Sequence, residues 1–207
     1  PIYREKIFPC SDDEKVRYQQ NLLKRTVPYE ITINEHVIHK HRNLIELNFE
    51  TDKSFLSKNN KIKIITDGKE KFRLLFEDIR NAKSYIHIQY YILKKDGIGK
   101  QLFSLLEQKL LEGVDVYILY DDIGSRKLSI SSLKQLTKNN AKIKRFFKSK
   151  FPLINFRMNY RNHRKIVTID GNIGYTGGFN VGDEYLGLDK KFGYWRDTHL
   201  RIEGEAV

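Results

Sequence analysis

The sequence predicts an α/β fold with a mixed central β-sheet between helix layers, an α/β/α sandwich. Beyond residue 60, short runs of β-branched and apolar residues alternate with stretches of helical period. One turn signal, Asp170-Gly171-Asn172, separates two apolar runs directly and indicates a β-hairpin. The 207 residues are 40% hydrophobic and 12% aromatic, a composition typical of a packed globular protein rather than a disordered one.

The first 60 residues are expected to form a helical extension or linker, and residues 61–207 the main domain. Ser11-Asp12-Asp13-Glu14 has the spacing of a capping box, which predicts a helix from there to about residue 24. A second helix is predicted over about 43–57. A short polar loop then marks the expected boundary between the two parts.

From residue 61 the predicted elements alternate between strand and helix. The helix that opens at Asp67-Gly68 carries apolar residues on one face at helical spacing. In the strand over 84–93, His87, Gln89 and Tyr91 share the more polar face. Strands are predicted over 61–66, 84–93, 114–120, 141–147 and 194–202, and helices over 67–81, 98–112 and 128–138.

The hairpin is expected to have a two-residue loop. With Gly171 and Asn172 as the loop residues, Asp170 would pair with Ile173. The first strand of the hairpin would then span 165–169 and the second strand 173–179.

Counting outward from that turn brings four chemically useful residues together. Lys165 would face Gly178 across the hairpin, and His163 would face Asn180. Because side chains alternate along a strand, His163 and Lys165 share one face. An imidazole, an ammonium and an amide around the gap left by Gly178 suit a phosphate group, which needs a nucleophile and donors for its developing charge. Asp170 lies an odd number of residues from His163, so an orienting or turn-stabilising role is predicted for it.

The charge of the chain favours anionic partners. A formal net charge of +12 and a pI of about 9.6 suit nucleic acid or an acidic membrane surface. Cys10 is the one cysteine, so no internal disulfide is possible, which fits a reducing compartment. No stretch approaches the ~18 consecutive apolar residues of a membrane-spanning helix. Because the chain begins at Pro1 rather than Met, we expect a fragment of a longer protein.

The sequence does not predict a metal site. His36, His39 and His41 lack cysteine or carboxylate partners at ligand spacing. Asp121 and Asp122 follow a predicted strand, where carboxylates suit metal or acid–base chemistry, but a helix-capping role is preferred.

The connection over 148–162 leads directly into His163 and combines basic with aromatic and apolar residues. Phe151 and Phe156 lie among several lysines and arginines. This composition suits a lipid-contacting loop at a membrane interface, and equally an ordinary surface loop.

The spacing His163-x-Lys165-x4-Asp170-x6-Gly177-Gly178-x-Asn180 resembles the HKD motif of the phospholipase D superfamily. Its flanks, including Gly182-Asp-Glu-Tyr-Leu-Gly187 and Tyr194-Trp-Arg-Asp-Thr-His199, resemble the N-terminal catalytic half of bacterial cardiolipin synthases. The resemblance covers roughly residues 60–207. The roles it implies are catalytic for His163, Lys165 and Asp170, phosphate-binding for Gly178 and Asn180, and supporting for Asp183 and Glu184. It also implies a supporting role for Gln89, and a purely structural amide is equally expected at that position.

A cardiolipin synthase-like phosphatidyltransferase would convert two phosphatidylglycerols to cardiolipin and glycerol through a covalent phosphohistidine, without metal or cofactor. The resemblance also implies that the active site forms where two HKD halves meet, whereas this sequence contains one. His199 has no lysine two residues later, so it is not a second copy, and it is expected to be hydrogen-bonded within the fold.

The partners implied are phosphatidylglycerol, a membrane surface, and a second HKD half from the missing C-terminal part of the chain or from a homodimer. The catalytic domain is expected at the cytoplasmic side of the cell membrane. The fragment itself, without membrane helices, is expected to be soluble and inactive as a monomer.

A second hypothesis is a homodimeric phosphodiesterase or nuclease of the same superfamily, in which two copies of His163 meet. The net charge of +12 would suit nucleic acid. The flanks of the motif favour the lipid enzymes. A non-catalytic phosphate-binding domain is disfavoured because His163, Lys165 and Asn180 are all intact.

Overall fold

The computed structural model describes residues 35–52, 57, 59–147 and 161–207. It divides the chain into two units, Pro1–Lys58 and Asn59–Val207, and each is described by itself. In the first unit, helix α1 spans Glu35–Asp52, so it begins and ends earlier than the helix predicted over 43–57. The helix predicted to begin at Ser11 lies outside the described residues.

The described part of the second unit contains seven strands and three α-helices, in nearly the predicted order and places. Their bounds are β1 Lys61–Asp67, α2 Gly68–Asn81, β2 Tyr85–Tyr90, α3 Gly97–Leu111, β3 Asp115–Asp121, α4 Lys134–Lys138, β4 Lys142–Phe146, β5 Ile166–Ile169, β6 Ile173–Gly177 and β7 Arg196–Glu203. Short 3-10 helices span Ile130–Leu133 and Asp183–Leu186. The first of these takes the place of the opening turns of the helix predicted over 128–138.

Aspartates fix where the two long helices begin. The Asp67 side chain accepts a hydrogen bond from the Glu70 amide at 2.9 Å, and α2 starts at the next residue. The Asp96 side chain accepts from the Gly99 amide at 3.2 Å at the start of α3. Both aspartates satisfy amides that have no partner within their helix, so the chain turns from strand or loop into helix at these positions.

The seven strands form one mixed sheet in the order β1-β7-β6-β5-β2-β3-β4. β2, β3 and β4 are parallel, and every other neighbouring pair is antiparallel. The crossovers through α2, α3 and α4 all step in the same direction along the sheet, and right-handed connections therefore place all three helices on one face. The predicted α/β class with a mixed central sheet is confirmed.

The core lies between this helix layer and the sheet. Its fully buried members alternate along the strands and recur at helical spacing, as their sequence periods require. They include Phe72, Leu75, Ile79, Leu102 and Leu106 from the helices and Ile86, Ile88, Ile118, Val167 and Tyr175 from the strands.

The residues that the sequence singles out lie at one end of the strands of the sheet. β1, β6, β2, β3 and β4 run in one direction, and β7 and β5 run in the other. The carboxyl ends of β2, β3 and β6 therefore meet the amino ends of β5 and β7. His163 and Lys165 lie just before β5 and Asn180 lies just after β6, so the fold brings these three predicted site residues together. Asp197, at the start of β7, lies at the same end of the strands.

Candidate active site

β5 and β6 form the predicted hairpin, but the predicted register is wrong by one residue. Ile169, not Asp170, pairs with Ile173. Asp170 and Gly171 have positive φ angles of 53° and 66°, and the Asn172 amide donates to the Ile169 carbonyl at 3.1 Å. Positive φ at both central positions matches the twist of the two strands, and a short aspartate tolerates it.

The corrected register changes what lies opposite the motif residues. Continuing the pairing outward places Lys165 opposite Gly177 rather than Gly178. His163 lies outside the strand, because β5 begins at Ile166. The motif therefore sits on an irregular segment at the open end of the hairpin.

Asp170 holds the closed end of the hairpin to the start of β2. Its carboxylate accepts hydrogen bonds from three backbone amides, those of Lys83 at 2.7 Å, Ser84 at 2.8 Å and Tyr85 at 2.9 Å. Burial acts to raise the pKa of Asp170, but these three donors outweigh it, and the pKa lies below its ordinary value. These contacts support the predicted turn-stabilising role and place the carboxylate at the far end of the hairpin from His163.

His163 and Lys165 are in direct contact at the open end. The Lys165 Nζ lies 2.9 Å from Nδ1 of His163, 3.3 Å from its Nε2 and 2.7 Å from its carbonyl oxygen. The imidazole is exposed and lies against the Tyr91 ring at 4.5 Å between centroids. Desolvation by the surrounding residues and the Lys165 charge lower the pKa of His163, which favours the neutral form of the ring.

Lys165 is only 5% exposed. Burial lowers its pKa, and the Asp197 carboxylate, at the start of β7, opposes that shift. A buried lysine that keeps a carboxylate within electrostatic range can carry charge where a phosphate would be bound. No role was predicted for Asp197, although it lies in the Tyr194-Trp-Arg-Asp flank.

Gly178 does not leave the open gap that the sequence predicts. A Cβ at Gly178 would lie 1.9 Å from Oδ1 of Asp197, and one at Gly177 would lie 2.4 Å from the Thr198 carbonyl oxygen. The Gly178 amide also donates to that carbonyl at 2.8 Å. The two glycines are therefore needed so that β7 can approach, which is what brings Asp197 near Lys165.

Asn180 is buried, and its side-chain amide is already engaged. Its Oδ1 accepts from the Ile92 amide at 3.0 Å, and its Nδ2 donates to the Tyr185 hydroxyl at 2.8 Å. The side chain thus fixes the segment after β2 against the segment after β6. One further hydrogen remains on Nδ2, so a phosphate-binding role for Asn180 is compatible with this geometry.

Sequence comparison matches residues 75–192 to the family described as "Cardiolipin synthase, PLD-like domain". The match covers more than half of the chain and includes His163, Lys165 and Asn180. The chain belongs to this PLD-like domain family of cardiolipin synthases. The predicted family resemblance is confirmed.

Two curated cardiolipin synthases are similar along the whole chain. Cardiolipin synthase 2 of Staphylococcus epidermidis RP62A is 50% identical over 209 residues, which cover 100% of this chain and 43% of that protein. Cardiolipin synthase of Oceanobacillus iheyensis is 49% identical over 210 residues, which cover 100% of this chain and 44% of that protein. The chain therefore spans less than half the length of these relatives.

Among solved structures, phosphatidylserine synthase from Haemophilus influenzae Rd KW20 is similar in fold. The TM-score is 0.54 at 19% sequence identity, and the alignment covers 70% of this chain and 33% of that chain. At this identity the likeness concerns the fold alone.

In this PLD-like domain, the acidic pair after the motif has structural partners. Asp183 accepts from the Gly97 and Ile98 amides at 2.9 and 2.8 Å and so holds the start of α3. Glu184 is 7% exposed and forms an ion pair with Lys94 at 2.5 Å. Among the described contacts, neither carboxylate reaches His163 or Lys165.

Gln89 is half-buried on β2, where it pairs with Ile166 of β5. Its neighbours Ile88 and Tyr90 enter the core beneath the helices. By strand alternation, Gln89 therefore lies on the sheet face that the described helices leave uncovered. The described contacts do not join it to His163 or Lys165, so the sheet does not bring this candidate into the cluster.

Asp121, at the end of β3, positions the segment that leads into His163. It is fully buried, and its carboxylate accepts from the Ile123 and Gly124 amides at 3.0 Å and from the Asn162 amide at 3.1 Å. The expected capping of a downstream helix is therefore replaced by a tight turn and a contact next to the motif. No local pattern predicts the Asn162 contact, because 41 residues separate the two partners.

His199 does not have the hydrogen bonds expected for it. It is 1% exposed on β7, and neither ring nitrogen has a hydrogen-bond partner among the described residues. Burial, with the charges of Lys71 and Lys165, lowers the pKa of His199 to about 3. Lys71 is also fully buried, with its Nζ 2.8 Å from the Tyr90 hydroxyl, and burial lowers its pKa well below the ordinary value.

The predicted absence of a metal site and of a membrane-spanning helix can be compared only with the described residues. Within residues 35–52, 57, 59–147 and 161–207, no cluster of three or more His, Cys, Asp or Glu side chains could hold a metal ion. In the same ranges, no helix has the length and apolar character needed to cross a bilayer. The side chains of His36 and His39, and the basic aromatic connection over 148–160, lie outside the described residues.

Proposed function

We propose that this chain is one catalytic half of a cardiolipin synthase, which transesterifies two phosphatidylglycerols to cardiolipin and glycerol. The observation that carries the proposal is the contact between the exposed His163 and the buried Lys165, found in a member of the cardiolipin synthase PLD-like family. An unprotonated imidazole beside a lysine ammonium provides a nucleophile and a charge for the oxygens of a phosphodiester.

In the proposed reaction, a ring nitrogen of His163 attacks the phosphorus of the first phosphatidylglycerol. A phosphorus–nitrogen bond forms, and the bond from phosphorus to the headgroup glycerol breaks. The leaving oxygen takes a proton from a second histidine, which later removes a proton from the hydroxyl of the second phosphatidylglycerol. That hydroxyl then displaces His163 and forms cardiolipin.

The side chains around His163 have separate roles in this proposal. Lys165 and Asn180 hold the non-bridging oxygens, while Asp197 keeps a negative charge near Lys165. Gly178 permits the approach of Asp197. Asp170 acts at a distance by keeping the hairpin in place, and Asp183, Glu184 and Gln89 support the fold rather than the chemistry.

We further propose that the second histidine belongs to a second HKD motif, because this chain contains one copy and its curated relatives are more than twice as long. That second motif would come from the rest of a longer chain or from a second copy in a homodimer. The net charge of +12 suits an anionic bilayer surface. The proposed site of action is the cytoplasmic side of the cell membrane.

The test is to trap the proposed intermediate in the complete protein. Phosphatidylglycerol labelled with ³²P is presented in vesicles, the reaction is stopped with denaturant at alkaline pH, and label bound to protein is counted beside cardiolipin formed. We expect labelled protein and cardiolipin from the wild type and neither from His163→Ala. His87→Ala changes an exposed histidine of β2 and serves as the matched control. DNA cleavage without phosphatidylglycerol turnover would instead support the nuclease hypothesis.

A further inference from the structure

A loop after the motif exposes apolar and basic side chains side by side. It spans residues 187–195, between the 3-10 helix Asp183–Leu186 and β7. Leu188, Phe192 and Tyr194 are 60%, 50% and 69% exposed. Lys190 and Lys191 are also exposed. We call residues 187–195 the aromatic-basic loop.

The conformation of this loop is defined by its own contacts. The Phe192 and Gly193 amides donate to the Asp189 carbonyl at 3.1 and 3.0 Å, and the Lys191 amide donates to the Asp189 side chain at 2.9 Å. The Trp195 ring packs edge-on against Phe192 at 5.7 Å between centroids. The apolar side chains are therefore held outward by a folded turn.

The loop is attached to the candidate active site at both ends. At its start, Tyr185 packs against Trp195 at 5.1 Å between centroids and accepts a hydrogen bond from Asn180. At its end, Trp195 is two residues before Asp197, whose carboxylate acts on Lys165. A partner bound by the loop would therefore lie beside the end of the sheet where His163 is located.

We propose that the aromatic-basic loop docks the protein on an anionic lipid surface. Leu188, Phe192 and Tyr194 enter the interface between headgroups and acyl chains, and Lys190 and Lys191 contact lipid phosphates. Apolar and aromatic residues interleaved with lysines are the composition that such an interface binds. The charge of the whole chain, +12, complements an anionic surface.

This inference rests on the proposed function, because a lipid substrate has to be reached while it remains in its bilayer. Docking by a loop beside His163 brings the site to the headgroups without extraction of the lipid. The apolar contribution resists salt, whereas the contribution of the lysines is screened by it. These two contributions can therefore be measured separately.

The first experiment measures co-sedimentation of the protein with phosphatidylglycerol vesicles across a salt series, with phosphatidylcholine vesicles for comparison. The apolar variant combines Leu188→Ser, Phe192→Ser and Tyr194→Ser. Its control is Leu111→Ser, because Leu111 is 73% exposed and is the last residue of α3, at the opposite end of the strands from His163. The charge variant combines Lys190→Gln and Lys191→Gln. Lys134→Gln with Lys138→Gln, two exposed lysines of α4, is its control.

We expect the apolar variant to lose at least tenfold in vesicle affinity at high salt, since each fully buried apolar side chain contributes roughly that factor or more. The charge variant should lose affinity at low salt and match the wild type at high salt. Both controls should bind like the wild type. Equal vesicle affinity of the apolar variant and Leu111→Ser would overturn the proposal. A changed oligomeric state with unchanged vesicle affinity would also overturn it, because the loop would then contact protein.

A second readout separates this proposal from the proposed function. Short-chain phosphatidylglycerol, dissolved as monomers, should be turned over equally by the wild type and the apolar variant, whereas vesicle substrate should be turned over more slowly by the variant. Absence of turnover on both substrates in the wild type would refute the proposed function. The vesicle-binding comparison would still decide the role of the loop.

Discussion

At its closed end, the β5–β6 hairpin holds the Asp170 carboxylate among three backbone amides, whereas at its open end the Lys165 ammonium lies against the His163 ring. Both groups are charged and partly or fully removed from water. Asp170 has a short donor for each oxygen. Lys165 has the weaker compensation of an imidazole, a carbonyl and the more distant Asp197.

This difference indicates that Asp170 stabilises the fold, whereas Lys165 is available for the proposed reaction. Hydrogen bonds to Asp170 favour its charged form and tie two distant segments together, so its charge stabilises the fold. Burial of Lys165 disfavours its charged form, so its charge is retained at a cost and remains available to a phosphate. Substitutions at the two ends should therefore separate into loss of activity and loss of stability.

The largest effect is expected at His163, the proposed nucleophile. His163→Ala in the complete protein should reduce cardiolipin formation below detection, because no group remains to form the covalent intermediate. The free energy of unfolding should change by less than about 0.5 kcal/mol, since the side chain is exposed. Label retained on the protein after incubation with ³²P-phosphatidylglycerol would contradict this role.

Lys165→Met should lower kcat by about 10²–10³-fold, as expected for loss of one charge-stabilising group. Its stability should not fall, because an apolar side chain of similar length replaces a buried amine. Lys109→Met is the matched comparison, since Lys109 is also buried but binds Glu112 at 2.5 Å and the Arg80 carbonyl at 3.0 Å. That variant should be less stable and retain its activity per folded molecule. Stability is measured by urea denaturation and activity by initial rates. A destabilised Lys165→Met variant with full activity, beside a stable but inactive Lys109→Met variant, would contradict these assignments.

Asp170→Asn should reduce the free energy of unfolding by about 2–3 kcal/mol, because the asparagine NH₂ would face a backbone amide that needs an acceptor. The folded-state pKa of Asp170 is lowered. Its contribution is therefore present above the unfolded pKa and is lost as pH falls through the folded pKa. Thermal unfolding below about pH 4 should depend less on pH in the variant than in the wild type. An unchanged pH dependence would show that the carboxylate contributes nothing to stability.

The smallest effect is expected at His199, where both ring nitrogens are buried without a described partner. His199→Leu should be neutral or stabilising by about 1 kcal/mol at pH 7, because an unsatisfied polar group is removed. The pKa of His199 is lowered to about 3 in the folded state. Its neutral form is favoured by folding, so stability is complete above the unfolded pKa of about 6.5 and falls as pH drops towards 3. The variant should flatten that fall, and strong destabilisation at pH 7 would show that the ring has a partner.

The sequence was sufficient wherever the controlling interaction is local. Asp67 caps α2 next to itself, and strand alternation placed Ile86 and Ile88 in the core. The fixed spacing of His163 and Lys165 keeps them together, although they precede β5 and are not within it. Local propensity and side-chain period determine these features.

Features that depend on distant segments were not predictable in the same way. The hairpin register follows from the left-handed conformation of Asp170, whose side chain is held by the amides of Ser84 and Tyr85 at the entry to β2. The neighbour of Gly178 is Asp197 on another strand, and no sequence period links the two. The isolation of the His199 nitrogens likewise depends on everything that packs around the ring.

The contacts of Lys165 have a consequence for the kinetics of the proposed enzyme. Its ammonium lies 2.9 Å from the His163 imidazole. In the resting site, the imidazole therefore competes with the substrate's anionic oxygens for contact with Lys165. When the substrate binds, Lys165 exchanges its contact with the imidazole for one with the phosphate, and loss of the first contact lowers the affinity for the ground state. Negative charge that develops on the phosphate oxygens during the reaction strengthens the new contact. An interaction that grows only towards the transition state raises kcat and leaves KM high. Such a balance suits an enzyme whose substrate is concentrated in two dimensions, where tight headgroup binding would bring no gain in rate.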